Sequence, residues 1–337
     1  MSNKRSEKNQ DRYKKNKRNR KLKIIVILIL FLSVGSGLLG WKVYKDFRNT
    51  SDNIFQDITT QNKRSEPVDV KVEDHPFSML LLGTDSGDLG RTEKGRSDTV
   101  MLLTVNKQQE KMTILSIPRD TYTEIIGHGT KDKINHAYAF GGVQMSINTV
   151  QNLLNVPIDY YVEINMKGLQ ELADALGGIT ITPPLNFIQD GHEFNEGEPT
   201  KMSGEKTLAY TRMRYEDPQG DYGRQARQRQ VLDASIKKAS SFSSILKYRE
   251  LLNTLENNMK TNLTFENMVD IFNDYSSAAA NIEQIQLSGT GEKMNDIYYE
   301  MVTDEEVNRV SNLLREQLEL DNNDEENNSE VIESSIN

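Results

Sequence analysis

Cysteine is missing altogether from this 337-residue chain, so no disulfide staples it and its stability rests on its core. Extracytoplasmic domains of disulfide-using secretory systems usually carry bridges, so a chain without them suits a bacterium that makes few. Other absences remove whole classes of chemistry. There is no Gly-x-Ser-x-Gly elbow, no Walker P-loop and no Gly-x-Gly-x-x-Gly fingerprint, which argues against a lipase, an NTPase and a dehydrogenase. The four histidines have no HxxxH or HxH spacing, which argues against zinc. No internal repeat is found.

What the chain does have is uneven charge. Its net charge is −9, and its 36% of hydrophobic residues can bury one large core or two small ones. Residues 1–23 run against that sign: Lys4, Arg5, Lys8, Arg12, Lys14, Lys15, Lys17, Arg18, Arg20, Lys21 and Lys23 face only Glu7 and Asp11. The uncharged run Ile24 to Trp41 follows, just long enough to cross a bilayer at about 1.5 Å per residue. The positive-inside rule holds its basic side in the cytoplasm, and Trp41 and Tyr44 suit the far interface. A cleaved signal peptide and a buried core helix are the alternatives. No Ala-x-Ala site is present and the run exceeds a usual h-region, which favours an uncleaved anchor over 24–41. A single-pass protein of the cell membrane is expected, with most of the chain outside the cell. The basic tail lacks interleaved aromatics beyond Tyr13 and abuts the membrane, so anionic lipid, not nucleic acid, is its expected partner.

Residues 42–75 are mixed in charge, with Val43, Phe47, Ile54 and Ile58 at helical spacing, which predicts a short amphipathic stalk or linker lying against the domain or membrane in preference to coiling with a partner. The folded domain is expected over 76–320, and the acidic, Asn/Ser-rich 321–337 is expected to be a disordered tail. From Phe77 the pattern is α/β. Strands are predicted over Phe77–Gly83, Thr99–Val105, Met112–Ile117, Asp159–Ile164, Ile179–Thr182 and Ile282–Leu287, with a hairpin or flap over 186–202. Helices are predicted near 143–154, 167–176, 203–213, 223–239, 244–259, 265–280 and 304–320. Asn106–Glu110 has hairpin length, which sets Asp98 beside Arg119. Asp85 joins them if the first strand runs antiparallel to the second.

The charges at these strand ends carry the chemistry. Asp85 and Asp98 flank apolar strands and can share one Mg²⁺, a cation that takes one or two carboxylates and completes its shell with water and substrate phosphate. Two loop aspartates making turn hydrogen bonds are the bland alternative; Arg96 and Arg119 beside them favour a phosphoryl-transfer site. Arg212, Arg214, Arg224, Arg227 and Arg229 add further guanidinium groups. Arg224 and Gln228 lie i, i+4 near the start of one helix, where acidic partners at those spacings are expected to be missing and an anion is favoured. His136 reads as a hydrogen-bonding scaffold residue.

These segments resemble the LytR–CpsA–Psr family of bacterial cell-wall glycopolymer ligases. The likeness rests on Leu82-Gly83-Thr84-Asp85, Arg96-Ser97-Asp98-Thr99, Ser116-Ile117-Pro118-Arg119-Asp120, Lys133-Ile134-Asn135-His136-Ala137-Tyr138, Gly177-Gly178-Ile179, Tyr210-Thr211-Arg212-Met213-Arg214 and Asp221 to Gln230. The resemblance implies an α-β-α sandwich with a central mixed sheet, preceded by one transmembrane helix and lying outside a Gram-positive-type cell. It implies that a polyprenyl-pyrophosphate-linked glycan is held there and that its glycan phosphate passes to peptidoglycan, on a muramic acid 6-hydroxyl. Asp85 and Asp98 then correspond to carboxylates around Mg²⁺ (or Mn²⁺), with Arg119 in the catalytic set. Arg96, Arg119, Arg212, Arg214, Arg224 and Gln228 correspond to residues around the pyrophosphate, and Lys133 and Asp221 fall in matching motifs. Either aspartate is a candidate base for the attacking hydroxyl. A membrane-bound regulator of envelope genes and a non-catalytic binder of anionic glycans are the competing readings. The loops 86–95 and 186–202 carry no readable sugar code.

Overall fold

The computed structural model describes residues 40–58, 64, 68, 70, 75–85, 95–240 and 248–320. The expected basic tail 1–23, the apolar run up to residue 39, the loop 86–94 and the acidic tail 321–337 lie outside the described residues. Among the described residues no helix is long and apolar enough to cross a membrane. The chain divides into two units, Met1–Asn49 and Thr50–Asn337. Helix α1 runs over residues 40–54, and in its first turns Lys45 lies over the Trp41 ring at 5.4 Å.

The second unit is built on an antiparallel meander of β1 (Phe77–Thr84), β2 (Ser97–Asn106) and β3 (Lys111–Ile117), the hairpin turning where expected. A small hairpin, β4 (Tyr122–Ile125) and β5 (Thr130–Lys133), leads into α2 (His136–Leu154). Then come β6 (Tyr160–Asn165), α3 (Met166–Ala175) and β7 (Ile179–Ile181). The flap is real: β8 (Phe187–Gln189) and β9 (His192–Phe194) pair, and β10 (Thr200–Met202) pairs with β7. Three helices follow, α4 (Gly204–Arg212), α5 (Asp221–Ser240) and α6 (Tyr248–Asn258). The chain closes with β11 (Met259–Thr261), α7 (Phe265–Asp274), a 3-10 turn (Ser276–Ala280), β12 (Ile282–Gln286), the hairpin β13 (Thr290–Met294) and β14 (Ile297–Met301), and α8 (Asp304–Gln317).

The central sheet has the order β11-β6-β1-β2-β3-β12 and is mixed. β6 runs parallel to β1 and β12 parallel to β3, while the inner pairs and β11 are antiparallel. β2 and β3 are buried almost throughout because helices cover both faces. On one face Leu80, Leu82, Leu102 and Leu115 pack with Val143, Ile147 and Val150 of α2 and with Val310 and Leu314 of α8. On the other, Met101, Leu103 and Ile114 meet Leu232 and Ile236 of α5 and Met268 and Ile271 of α7. The result is an α-β-α sandwich. A third cluster stacks Phe187 on Phe194 at 4.5 Å against Tyr210, seating the flap on α4.

The end of the expected amphipathic stretch lies against the domain: Ile54 is buried, Ile58 packs on the core, and Gln56 N donates to Thr261 O at 2.7 Å. Three expectations need correction. Helix α2 begins earlier than residue 143 and is broken at Gly142, whose φ of 69° lies where only glycine sits freely. The helical pattern over 244–259 gives way at Met259 to β11, and that over 265–280 ends at Asp274 in the 3-10 turn. The β4–β5 and β13–β14 hairpins fall in stretches where the sequence pattern predicted no strands.

Candidate active site

The site is built on an irregularity in the sheet. β1 and β2 pair residue for residue from Phe77↔Val105 to Gly83↔Thr99, then slip to Thr84↔Ser97. Asp98 is the unmatched residue of this bulge, a device that re-aims a side chain at a strand end. Its Oδ1 accepts a hydrogen bond from Arg119 Nη1 at 2.5 Å. Arg119 follows the last residue of β3 by two positions, so the hairpin register brings the pair together. Next to it, Lys133 of β5 meets Asp120 Oδ1 at 2.7 Å, and Asp120 Oδ2 stands 3.8 Å from Arg119 Nε. Asp85 caps the loop leaving β1: its Oδ1 accepts from the Arg96 amide at 3.0 Å.

The second half of the site comes from α5 and the turn before it. Asp217 accepts the Gln219 amide at 2.7 Å and takes the charge of Arg227, whose side chain is 1% exposed. Arg227 also donates to the carbonyls of Tyr210 and Met213 at 3.2 and 2.6 Å. This arginine is a buried strut holding the 213–220 turn to the helix. Gly223 must be glycine, because a Cβ there would fall 1.9 Å from the Asp217 carboxylate. With the turn so fixed, Asp221 sits 2.9 Å from Arg224 Nη2, one helical turn on, and 3.8 Å from Arg214 Nε. Gln225 donates to its other oxygen at 2.9 Å, Gln286 to Gln225 at 2.8 Å, and Arg229 to Gln286 at 2.6 Å.

Charge couples the two halves. Burial alone would lower the Arg119 guanidinium, but Asp98, by charge and hydrogen bond, and then Asp221 and Asp120 outweigh it and hold the group above its ordinary value. Arg224 goes the other way: burial lowers it, Asp221 opposes, and the like charge of Arg119 lowers it further. Burial brings Arg229 down to about 10. Two buried donors of this unit, Arg119 Nε and Arg224 Nε, have no hydrogen-bond partner. Buried polar groups left so cost free energy, and an anion placed between the two arginines would satisfy them.

Two cavities adjoin the unit. One, of about 180 Å³, is an apolar slot between the sheet and α3 and α5, bounded by Leu81, Met101, Ile164, Leu169, Leu172 and Leu232. Its few polar wall groups include Thr99, Thr211 and Gln228. The other, of about 490 Å³, is a polar cleft walled by Asp120, Arg214, Asp221, Tyr222, Tyr298 and Glu300 among others.

The sequence-predicted residues divide accordingly. Asp98, Arg119, Arg214, Asp221 and Arg224 form one charged unit, with Lys133 joined through Asp120. Gln228 lines the slot. Asp85 and Arg96 meet through a backbone amide, with the Arg96 side chain exposed, and Arg212 is exposed at the end of α4. His136 hydrogen-bonds Asp132 at 2.7 Å, a scaffold contact as expected. The expectation that the α5 arginines lack acidic partners is wrong: Asp221 lies three residues before Arg224, and Asp217 pairs with Arg227 from outside the helix. Residues missed by sequence reasoning include Tyr222, Tyr298, Glu300 and Gln286. The Asn295-Asp296 turn, with φ of 51° and 64°, carries the one signal that could have found the hairpin bearing Tyr298 and Glu300.

The model of the LytR_cpsA_psr family matches residues 42–316, and the chain belongs to that family. Among its relatives is the polyisoprenyl-teichoic acid–peptidoglycan teichoic acid transferase TagU of Bacillus subtilis (strain 168), 46% identical over 288 residues, 86% of this chain and 92% of that protein. A solved Enterococcus faecalis structure described as a transcriptional regulator (EF0465) superposes with a TM-score of 0.67 at 43% identity, covering 77% of this chain and 93% of its own. The LytR-CPS2A-psr family protein YwtF (TagT), solved with bound octaprenyl pyrophosphate lipid, has a TM-score of 0.62 at 29% identity, covering 79% and 100%.

Proposed function

We propose that this protein is a membrane-anchored phosphotransferase that moves a glycopolymer phosphate from a polyprenyl-pyrophosphate carrier to peptidoglycan. The observation that carries this reading is the set of buried, unpartnered N–H donors on Arg119 and Arg224 beside an apolar slot. A pyrophosphate supplies the acceptors those donors lack, and a prenyl chain suits the slot. The relatives named as a teichoic acid transferase and as bound to octaprenyl pyrophosphate support the same pairing of headgroup and tail. A regulator needs neither feature, and a glycan binder has no use for a lipid slot.

The apolar run 24–41 behind a basic tail supports a single-pass anchor, cytoplasmic at its N-terminus, that keeps the domain outside the cell at the surface where its lipid donor is found. In the reaction, a hydroxyl oxygen of peptidoglycan bonds to the glycan-side phosphorus. The bond from that phosphorus to the bridging oxygen breaks, and its electron pair leaves on polyprenyl phosphate. The hydroxyl proton passes to a carboxylate, Asp85 or Asp98. Arg119 and Arg224, with Arg214, Arg212 and Arg96 around them, neutralise the phosphate oxygens. Lys133 and Asp221 position this set through Asp120 and the arginines they contact.

The donor set fits Mg²⁺. Asp98 uses one oxygen on Arg119 and keeps the other, and Asp85 stands at the neighbouring strand end. Among the described residues no three His, Cys, Asp or Glu side chains gather to hold a metal, so waters and substrate phosphate would complete the shell. A cation bound there stabilises negative charge on the departing phosphate. The test is transfer by the full-length protein in detergent, given Mg²⁺, a lipid-pyrophosphate glycan and a peptidoglycan fragment. Release of polyprenyl phosphate matched by labelled fragment is the expected result. No transfer from any such donor would sink the proposal.

A further inference from the structure

The polar cleft shares Arg214 and Asp221 with the charged unit, and its other walls are distinctive. Glu300, buried on β14, accepts the Tyr222 hydroxyl on Oε1 at 2.6 Å and the Tyr298 hydroxyl on Oε2 at 2.6 Å. Tyr222 also accepts the Gly289 amide at 2.8 Å. Burial, and after it the hydrogen bond to Glu300, raise both phenols above their ordinary value, so each stays an O–H donor at neutral pH. The cleft is thereby rigid on this side. Across it, Tyr215 is 95% exposed, and the Arg214 guanidinium lies 6.0 Å from its ring.

Charge decides what class of ligand such a cleft suits. Asp120 is paired with Lys133, Asp217 with Arg227 and Asp221 with Arg224, while Glu300 is satisfied by two phenols. The one cation in the lining, Arg214, reaches Asp221 at 3.8 Å and is taken up by the pyrophosphate in the reading above, so no cation is left over for a second anion. What remains is a set of carboxylate and phenol oxygens with two tyrosine rings at the rim. That combination suits a neutral, hydroxyl-rich ring whose C–H face stacks on an aromatic.

Position decides its role. On α5 the order is Asp221 on the cleft, Arg224 in the charged unit and Gln228 on the slot. On the sheet side Asp120 borders the cleft, Asp98 and Arg119 form the unit, and Thr99 borders the slot. The unit therefore stands between the two cavities on both of its supports. Phosphoryl transfer sets attacking and leaving oxygens roughly in line. With polyprenyl phosphate leaving through the slot, the attacking hydroxyl enters from the cleft.

We infer that the cleft bounded by Tyr215, Tyr222, Tyr298 and Glu300 is the acceptor site, binding a neutral pyranose of the peptidoglycan strand and presenting its hydroxyl to the charged unit. This rests on the phosphotransferase reading, and the test separates the two. Tyr215→Ala and Tyr298→Phe are assayed in the full-length protein with a soluble peptidoglycan glycan fragment and a lipid-pyrophosphate donor, each varied in turn. Wild-type transfer must be seen first; its failure would count against the phosphotransferase reading itself. Given transfer, the expected result is a KM for the fragment raised about tenfold or more in Tyr215→Ala, with donor KM within about twofold and an unchanged unfolding temperature. Tyr298→Phe keeps its ring but loses a donor and is expected to show a smaller rise of the same kind. An unchanged fragment KM in both variants overturns the inference. So does a rise confined to donor KM, which would assign the cleft to the donor's own glycan.

Discussion

Asp98 and Arg119 stand 2.5 Å apart, oxygen to nitrogen, at strand ends between the two cavities, yet Arg119 Nε is buried without a hydrogen bond. One side of this guanidinium is held by protein and the other is spare. Arg119→Lys keeps the charge but loses the fork. A drop of about 10² to 10³ in kcat is expected, by analogy with removing one preorganised donor. Thermal unfolding, expected to stay within a few degrees, separates this loss from misfolding.

Asp98→Asn tests the cation. The amide can still accept from Arg119 but offers a poor ligand to Mg²⁺. The half-saturating Mg²⁺ concentration for transfer is expected to rise at least about tenfold, on the scale of a lost supporting interaction at a metal site. A wild-type rate indifferent to Mg²⁺ and to chelator would contradict the metal assignment while leaving the arginine site standing.

Arg227 belongs to the fold. Arg227→Met leaves Asp217 buried without its cation, at a cost of about 3–5 kcal/mol. Urea unfolding of the variant reads this directly. Gly223→Ala is expected to fail in the same way, by driving a methyl into Asp217. Wild-type stability in both would show that the 213–220 turn can be rebuilt, and the account of α5 would need revision.

Leu172 lines the slot. Leu172→Trp fills much of a cavity of about 180 Å³ and is expected to raise KM at least about tenfold for a long-chain prenyl donor. A short-chain donor, which needs less of the slot, is expected to lose far less. Equal loss for both chain lengths would place the tail elsewhere.

Much of this was legible in the chain. The apolar runs 99–105 and 112–117 with six polar residues between them point to a hairpin, and the hairpin alone placed Asp98 beside Arg119. Arg227 was misread because its partner, Asp217, lies outside the helix, where helical spacing is silent. The hairpin bearing Tyr298 and Glu300 hides behind exposed, polar residues such as Glu292 and Lys293, which carry no hydrophobic alternation. The hydrogen bond from Tyr222 to Glu300 spans 78 residues, a distance over which local pattern has nothing to say. The slot emerges only when β1, β2, β6, α3 and α5 are assembled, since its leucines and valines read as ordinary core.

The unmatched Asp98 between Gly83↔Thr99 and Thr84↔Ser97 implies a trade. Deleting it would let the ladder close without a break, and the shortened strand would gain regular pairing while losing its carboxylate. Selection for thermal endurance alone would thus drift toward a sturdier, inert sheet. Wherever consensus or stability-guided redesign is applied to this chain, position 98 is where a gain in melting temperature should be distrusted.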